Sequence, residues 1–409
     1  MLIVQKFGGS SLASIHHIQG VAKKIREGLE DGQQLVIVVS AMGDTTDDLV
    51  EKAYAVTAQP TPRELDALLA TGEMQSAALL AMCLESEGIR AQSFTGAQAG
   101  LATTADYGRA RILHIDPTPL RHALEHGTTP VVTGFQGVAP DHSIATLGRG
   151  GSDLTAIALA GALDADRCEI YSDVAGVFTA DPRIIPSAVP LRTLSFDEMM
   201  ELASQGAQVL QTQAVAYAKS HDVVIHARST FSDSGGTIIS NRTPGVKPAV
   251  TAVAINRHIA KVGLVGVPDA PGVAALLFSR LSQRGINVDL VFQALSHDHL
   301  NDIAFTVEDK DAAAAEEVAR ACLPDVNGRD VVVDRSVAKV SAVGSGMLGR
   351  PGVAAGVFQA LAGAGINIQM IGTSEVKISC IVARDKAEHA LRRIHQAFLL
   401  DEGQAVIED

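Results

Sequence analysis

Three polar, glycine-bearing segments carry the side chains best suited to chemistry. The first, Lys6–Ser11 (KFGGSS), follows the short apolar run Leu2–Gln5. Two glycines after a strand let backbone N–H groups approach a phosphate, and the start of a following helix favours negative charge. A lysine at that strand end can neutralise charge moving between transferring oxygens. Because the lysine precedes the glycines, this is not the Walker arrangement, and taken alone the segment also reads as a tight strand-to-helix turn. The second segment, Thr146–Asp153 (TLGRGGSD), opens an Ala-rich helix over Asp153–Leu163. Ser152 or Asp153 is placed to cap that helix. Arg149, a guanidinium between glycines, suits two-pronged binding of a carboxylate or phosphate. The third, Tyr171–Arg183 (YSDVAGVFTADPR), sets Asp173 just past a strand, where α/β sheets bind ligands. Its Asp181-Pro182 turn could aim Arg183 at a polyphosphate. Together the three segments favour an anionic substrate such as a nucleotide.

The elements that must position these residues alternate. Leu35–Val39 is a continuous β-branched run, the pattern of a strand covered on both faces. Further strands are expected at Ala91–Phe94, Val131–Thr133 and Cys168–Ser172, with helices over Ile15–Leu29 and from Arg63 to Gly88, Pro62 standing near the latter's start. Strand-helix alternation implies an α/β layer with a largely parallel sheet.

Beyond residue 240 the texture changes. Asn241–Pro248 is turn-rich and polar, the mark of a linker. After it comes a repeat: Pro271-Gly272 recurs as Pro351-Gly352, and Gly285–Asn287 as Gly365–Asn367, both with an offset of 80 residues. Phe278 and Leu281 match Phe358 and Leu361 at the same offset. Each copy runs strand, Pro-Gly turn, helix, Gly-Ile-Asn turn, strand, so a small α+β module is duplicated.

Composition narrows the function classes. With 409 residues and 47% hydrophobic content the chain has ample core for two to three domains. It holds 4% aromatics, no Trp, and a net charge of −13, which disfavours nucleic-acid binding by stacking or by phosphate contacts. The four cysteines are scattered without a C-x-x-C pair, so neither a disulfide framework nor a structural zinc site is expected. The N-terminus does not read as a signal peptide, and the most apolar stretch, Ala67–Leu84, is interrupted by Gly72, Glu73 and Gln75. No membrane association is expected, and the location is expected to be cytoplasmic.

The motifs VQKFGGSS, GDTTD, TGE, TLGRGGSD and SDVAGVFTADPR together resemble the aspartokinases of the amino-acid kinase family, in order through nearly all of the chain. The repeat resembles that family's paired ACT domains, and the likeness extends to the actinobacterial type regulated by lysine and threonine. The resemblance implies a three-layer αβα kinase fold with a largely parallel sheet, then two ferredoxin-like α+β ACT domains. The boundaries it implies are a kinase domain over 1–240, a linker over 241–258, and ACT domains over 259–335 and 336–409. It implies ATP-dependent phosphorylation of the L-aspartate side chain to 4-phospho-L-aspartate, with Mg²⁺ bridging the phosphates through water and phosphate oxygens rather than a protein cage.

By position, the resemblance makes Lys6 and Asp173 the catalytic candidates. Lys6, Phe7, Gly8, Gly9, Ser10, Ser172, Asp173, Phe178, Arg183 and Gln208 would surround the nucleotide. Aspartate would be held by Arg149 on its α-carboxylate and Glu73 on its ammonium group, with Ser40, Thr46 and Ser152 adding hydrogen bonds; Thr45 is the alternative to Thr46. Effector sites would take Asp269, Gly272, Ala274, Asn287, Gln293, Asn367, Ile368, Ser374 and Glu375, although Asn287 and Asn367 also read as residues that satisfy turn backbones. A homo-oligomer through the ACT domains is implied, with room for a separately started ACT-only chain. No Met lies between Met200 and Met347 to start one. Two departures stand out: Gln208 replaces the family's usual Lys, and Phe178 the common Tyr. The first favours the alternative of an inactive amino-acid sensor on the same fold.

Overall fold

A computed structural model of the chain describes residues 1–206, 209–241, 248–294, 299–347 and 349–400. They form two compact units: Met1–Val177 with Pro190–Pro244, and Phe178–Val189 with the chain from Gly245 onward.

The first unit is built on an eight-stranded sheet. At its centre lies Leu2–Phe7, flanked by Gln34–Val39 on one side and Arg167–Ser172 on the other, all parallel. Thr129–Thr133 and Ala91–Phe94 extend one side and Ile225–Ser229 the other, still in parallel. Thr237–Ile239 runs antiparallel at the far edge and carries the two-residue strand Thr193–Leu194. Side chains alternate across a strand. Ile3, Phe7, Leu35, Ile37 and Val39 therefore pack on one face, against the helices Ile15–Gly28 and Pro62–Ser86. Lys6 points to the opposite face, covered by the helix Gly151–Leu163. Helices on both faces give the three-layer, largely parallel arrangement that the motifs imply.

Local sequence explains the helices. Ile15–Gly28 is capped by the Ser14 side chain and buries Ile18, Val21, Ala22 and Ile25 at helical spacing. Pro62–Ser86 begins with Pro at a first-turn position. Among the described residues it is the one helix long and apolar enough to cross a membrane, but its buried face carries Asp66 and Glu73 and it packs as a core helix. Gly151–Leu163 starts two residues earlier than the sequence indicates, because Gly150 adopts a left-handed φ of 75° and ends the preceding turn. Neither Ser152 nor Asp153 caps it. A separate four-stranded sheet joins Ile112–Ile115, Leu101–Thr103, Gln136–Val138 and Ile144–Thr146. Strands this short leave no readable alternation in the sequence.

The second unit holds two four-stranded antiparallel sheets. In the first module Ile259–Pro268, Leu300–Glu308, Val291–Gln293 and Asp330–Asp334 pair, with the helices Val273–Gln283 and Ala312–Val326 packed on them. The second module pairs Val337–Val343 with Lys377–Ala383, and that strand with Met370–Thr373. Its fourth strand is Ala252–Asn256, which precedes the first module in the chain. The stretch 241–258 is thus not wholly a linker: it supplies the edge of the last sheet, and the first module is inserted within the second.

Candidate active site

The parallel register lines up the strand ends. Phe7 pairs with Val39 and Tyr171, and Val39 with Thr133. Gly8–Gly9, Ser40, Gly134 and Ser172–Asp173 therefore emerge side by side at the carboxyl edge of the sheet, where open α/β sheets bind ligands. Backbone hydrogen bonds weave this edge together. Gly8 N–H donates to Tyr171 O at 3.2 Å, Ser40 N–H to Phe7 O at 3.1 Å, Gly43 N–H to Gly9 O at 3.0 Å and Gly134 N–H to Val39 O at 2.9 Å. A Cβ at Gly9 would meet Ala41 O at 3.0 Å, so glycine lets the first loop pack against the second.

Lys6 is 9% exposed, and its Nζ lies 2.6 Å from Asp153 Oδ1. The contact is a charge pairing rather than an aligned hydrogen bond. Asp153, which the sequence marks as a helix cap, is instead the partner of the lysine. Phe7, expected beside the nucleotide, presents only its backbone at this edge. Alternation turns its ring into the core, stacked on Tyr171 with centroids 4.8 Å apart.

Glu73 sits inside the apolar helix and is 3% exposed. Its Oε1 accepts the Ala41 N–H at 3.0 Å, while Oε2 is buried with no hydrogen-bond partner. Burial pushes its carboxyl up to about 7, against the opposing pull of the Ala41 hydrogen bond. The helix comes this near because of Gly72, where a Cβ would lie 2.8 Å from the Ala41 Cβ. Arg149 is exposed on its glycine loop, with no hydrogen-bond or ion-pair partner among the described residues. Ser152 is buried beside Gly134, whose missing side chain makes room for it: a Cβ there would lie 2.7 Å from Ser152 Oγ. Ser40 and Thr46 are half-buried, and Thr45 faces Gly72, its Cγ2 within 3.5 Å of where a Cβ would stand.

Of the nucleotide candidates, Gly8, Gly9, Ser10, Ser172 and Asp173 belong to this edge. Ser172 Oγ accepts the Val174 N–H at 3.3 Å, and Asp173 is exposed. Phe178 and Arg183 do not belong to the same unit. Their segment, Phe178–Val189, is part of the second unit, where Ala180 and Ile185 enter the core. There Thr179 Oγ1 lies 3.0 Å from His395 Nε2, and Arg392 Nε donates to Ile184 O at 3.2 Å. Arg183 is folded back on Asp181, with Nη2 donating to Oδ2 at 2.8 Å, which holds the Asp181 carboxyl below the usual range. Gln208 lies outside the described residues.

Three residues that matter here carry little or no site signature in the sequence. Asp153 looked like a cap. Asp66 has one signal, a charge seven positions before Glu73 on the same apolar helix. Thr133, whose buried Oγ1 has no partner, had none.

In the second unit Gly272 takes φ of 99° at the start of Val273–Gln283, and its copy Gly352 takes 97° before Val353–Gly363. Asn287 and Asn367 are exposed, and among the described residues neither side chain satisfies a turn backbone. Asp269 Oδ1 accepts from Asn301 Nδ2 at 3.0 Å. Ala274 packs against the first module's core and Ile368 against the second's, whereas Gln293 is exposed. Ser374 and Glu375 form the turn before Lys377–Ala383, with Ser374 N–H donating to Lys377 O at 2.8 Å.

Residues 1–228 match the amino acid kinase family, and residues 264–321 and 340–398 each match the ACT domain. The aspartokinase of Mycolicibacterium smegmatis is 47% identical over 403 residues, which is 97% of this chain and 96% of that protein. The crystal structure of E. coli aspartokinase III in complex with aspartate and ADP (R-state) aligns with a TM-score of 0.80 at 25% identity, covering 98% of this chain and 100% of that one. The same enzyme in complex with lysine and aspartate (T-state) aligns with a TM-score of 0.75 at 25% identity, covering 97% and 99%.

Proposed function

The chain belongs to the aspartokinases of the amino acid kinase family, kinases of aspartate regulated through ACT domains, and we propose that its product is 4-phospho-L-aspartate and its effectors lysine, threonine or both. The observation that carries the substrate reading is a pair of unmatched opposite charges. Glu73 buries a carboxylate oxygen with no partner, and Arg149 presents a guanidinium with none among the described residues. An amino-acid zwitterion supplies the missing cation and anion. Bound between them, aspartate turns its side-chain carboxylate toward the Lys6 strand end, with Ser40, Thr46 and Ser152 as further hydrogen-bonding groups.

Its carboxylate oxygen then forms a bond to the γ-phosphorus of ATP while the bond to the β-phosphate oxygen breaks, and ADP leaves. Lys6, held by Asp153, is the cation placed to balance charge on the moving phosphoryl group. The glycine turn Gly8–Gly9, with no side chains to fill it, and the edge residues Ser10, Ser172 and Asp173 fit a polyphosphate. Mg²⁺ carried by the nucleotide rather than by a protein cage would supply charge neutralisation at this edge. E. coli aspartokinase III is known in complex with aspartate and ADP, and with lysine and aspartate, which supports both substrate and effector class. The exposed Asn287 and Asn367 are free to bind effectors, and an effector acts only through its differential affinity for two states. We place the enzyme in the cytoplasm, as a homo-oligomer through its ACT domains.

The test is ADP release with aspartate, ATP and Mg²⁺. We expect aspartate-dependent turnover that falls when lysine, threonine or both are added. No turnover without effectors would overturn the catalytic reading, and turnover indifferent to both amino acids would overturn the effector assignment.

A further inference from the structure

We infer that Asp66 is a positioning residue for aspartate binding: it ties the helix that carries Glu73 to the root of the loop that carries Arg149. The inference rests on the roles proposed above for those two residues.

Asp66 is 1% exposed and accepts three hydrogen bonds. Its Oδ2 takes the Thr146 N–H at 2.7 Å and the Gly108 N–H at 2.9 Å, and its Oδ1 takes the Thr146 hydroxyl at 2.8 Å. Among the described residues no cation pairs with it. A buried carboxylate without a counter-charge is costly and is offset here by three converging donors; that an acid stands at this position at all calls for an explanation.

The explanation lies in what those donors carry. Thr146 ends the strand Ile144–Thr146 and is the first residue of the TLGRGGSD loop, three residues before Arg149. Its carbonyl accepts the Ala110 N–H at 2.8 Å, so N–H, hydroxyl and carbonyl are all held. Gly108, the other donor, backs the same loop: a Cβ on Gly148 would lie 3.0 Å from Gly108 O. Asp66 therefore anchors both layers of the loop at its base.

Asp66 and Glu73 are seven residues apart on the helix Pro62–Ser86, two turns and about 10 Å along one face. A second strap lies between them, Gln136 Nε2 donating to Ala70 O at 3.0 Å. The helix thus acts as a rigid spacer with Glu73 at one mark and the root of the Arg149 loop at another. A zwitterion has its two charges at a fixed separation, so its binding depends on that spacing. Binding of ATP at the Lys6 and Gly8–Gly9 edge does not.

The test compares Asp66→Ala, Asp66→Asn and Arg149→Ala in the full chain, measuring KM for aspartate, KM for ATP, kcat and thermal unfolding. Asp66→Ala should raise the aspartate KM about tenfold or more with the ATP KM nearly unchanged. Asp66→Asn, which keeps an oxygen acceptor for the two N–H groups, should recover most of the loss. A purely structural role would lower stability and active fraction while leaving both KM values alike, and that result overturns the inference. Should Asp66→Ala not fold, Thr146→Val removes only the hydroxyl bond and should give a smaller rise in aspartate KM; no rise there overturns the inference. Arg149→Ala separates the two levels. A normal aspartate KM in that variant overturns the site reading and this inference with it. A raised value there beside a normal one in Asp66→Ala overturns this inference alone.

Discussion

Lys6 Nζ stands 2.6 Å from Asp153 Oδ1, with both side chains 11% exposed. The pair joins the central strand to the helix Gly151–Leu163 just below the edge where the strand ends converge. Replacing Asp153 by Asn removes the anion and leaves the ammonium buried, at a cost of about 3 kcal/mol. Thermal unfolding should show this loss, and ATP should restore more stability to Asp153→Asn than to the natural chain because phosphate replaces the missing charge. Lys6→Ala should lower kcat about a hundredfold, read in the ADP-release assay.

With the role proposed for Glu73, stability and substrate binding should depend on pH in opposite senses. Its folded carboxyl is raised to about 7 from an ordinary value of 4.5. The protonated form is favoured in the fold, so its contribution is complete below pH 4.5 and is lost as pH rises through 7. Glu73→Gln should match the natural chain near the lower limit and exceed it above the upper one, by up to about 3 kcal/mol. If Glu73 pairs with aspartate's ammonium group as proposed, binding uses the ionised carboxylate, and the aspartate KM of the natural enzyme should fall as pH rises across neutrality. Unfolding curves and KM measured over the same pH series check both statements.

Arg149 is exposed and holds nothing together among the described residues. Arg149→Ala should therefore leave thermal stability unchanged while raising the aspartate KM by about tenfold to a hundredfold, the range for a charge-assisted hydrogen bond. The ATP KM should move far less. Steady-state kinetics in both substrates decides it.

Gly72 inverts the usual helix rule. Glycine to alanine inside a helix ordinarily gains about 1 kcal/mol. Here the new methyl would sit 2.8 Å from the Ala41 Cβ and push the helix off the Ser40 loop. Gly72→Ala should destabilise the protein by about 1–3 kcal/mol and weaken aspartate binding by disturbing the Glu73–Ala41 contact. Denaturant melts and the aspartate KM provide the check.

The second ACT module depends on a strand that precedes the first. Val337–Val343 is buried along its length and pairs with Ala252–Asn256 on one side. A chain spanning 248–400 should protect the amides of Val337–Val343 from hydrogen exchange better than a chain spanning 259–400, in which that edge is bare.

What the sequence by itself determined was the chemistry and the kinds of layer. Lys6, Glu73 and Arg149 stand out because glycines, or an apolar helix, surround a charge within a few residues. The β-branched runs and the 80-residue repeat declare a parallel sheet and a duplicated module for the same local reason. What only the tertiary structure decided was which distant residues meet. Asp153 looked like a cap until a strand far away in the chain brought Lys6 beside it, and Asp66 is an unremarked helix charge until Thr146 and Gly108 close on it. Ala252–Asn256 reads as linker because an edge strand of five residues has little pattern of its own. Phe178–Val189 reads as part of the nucleotide loop because its motif is continuous with Ser172–Val177, yet its apolar side chains find their core in the other unit. Propensity and spacing act between neighbours along the chain; ion pairs, borrowed strands and buried acceptors are settled by which surfaces exclude water together.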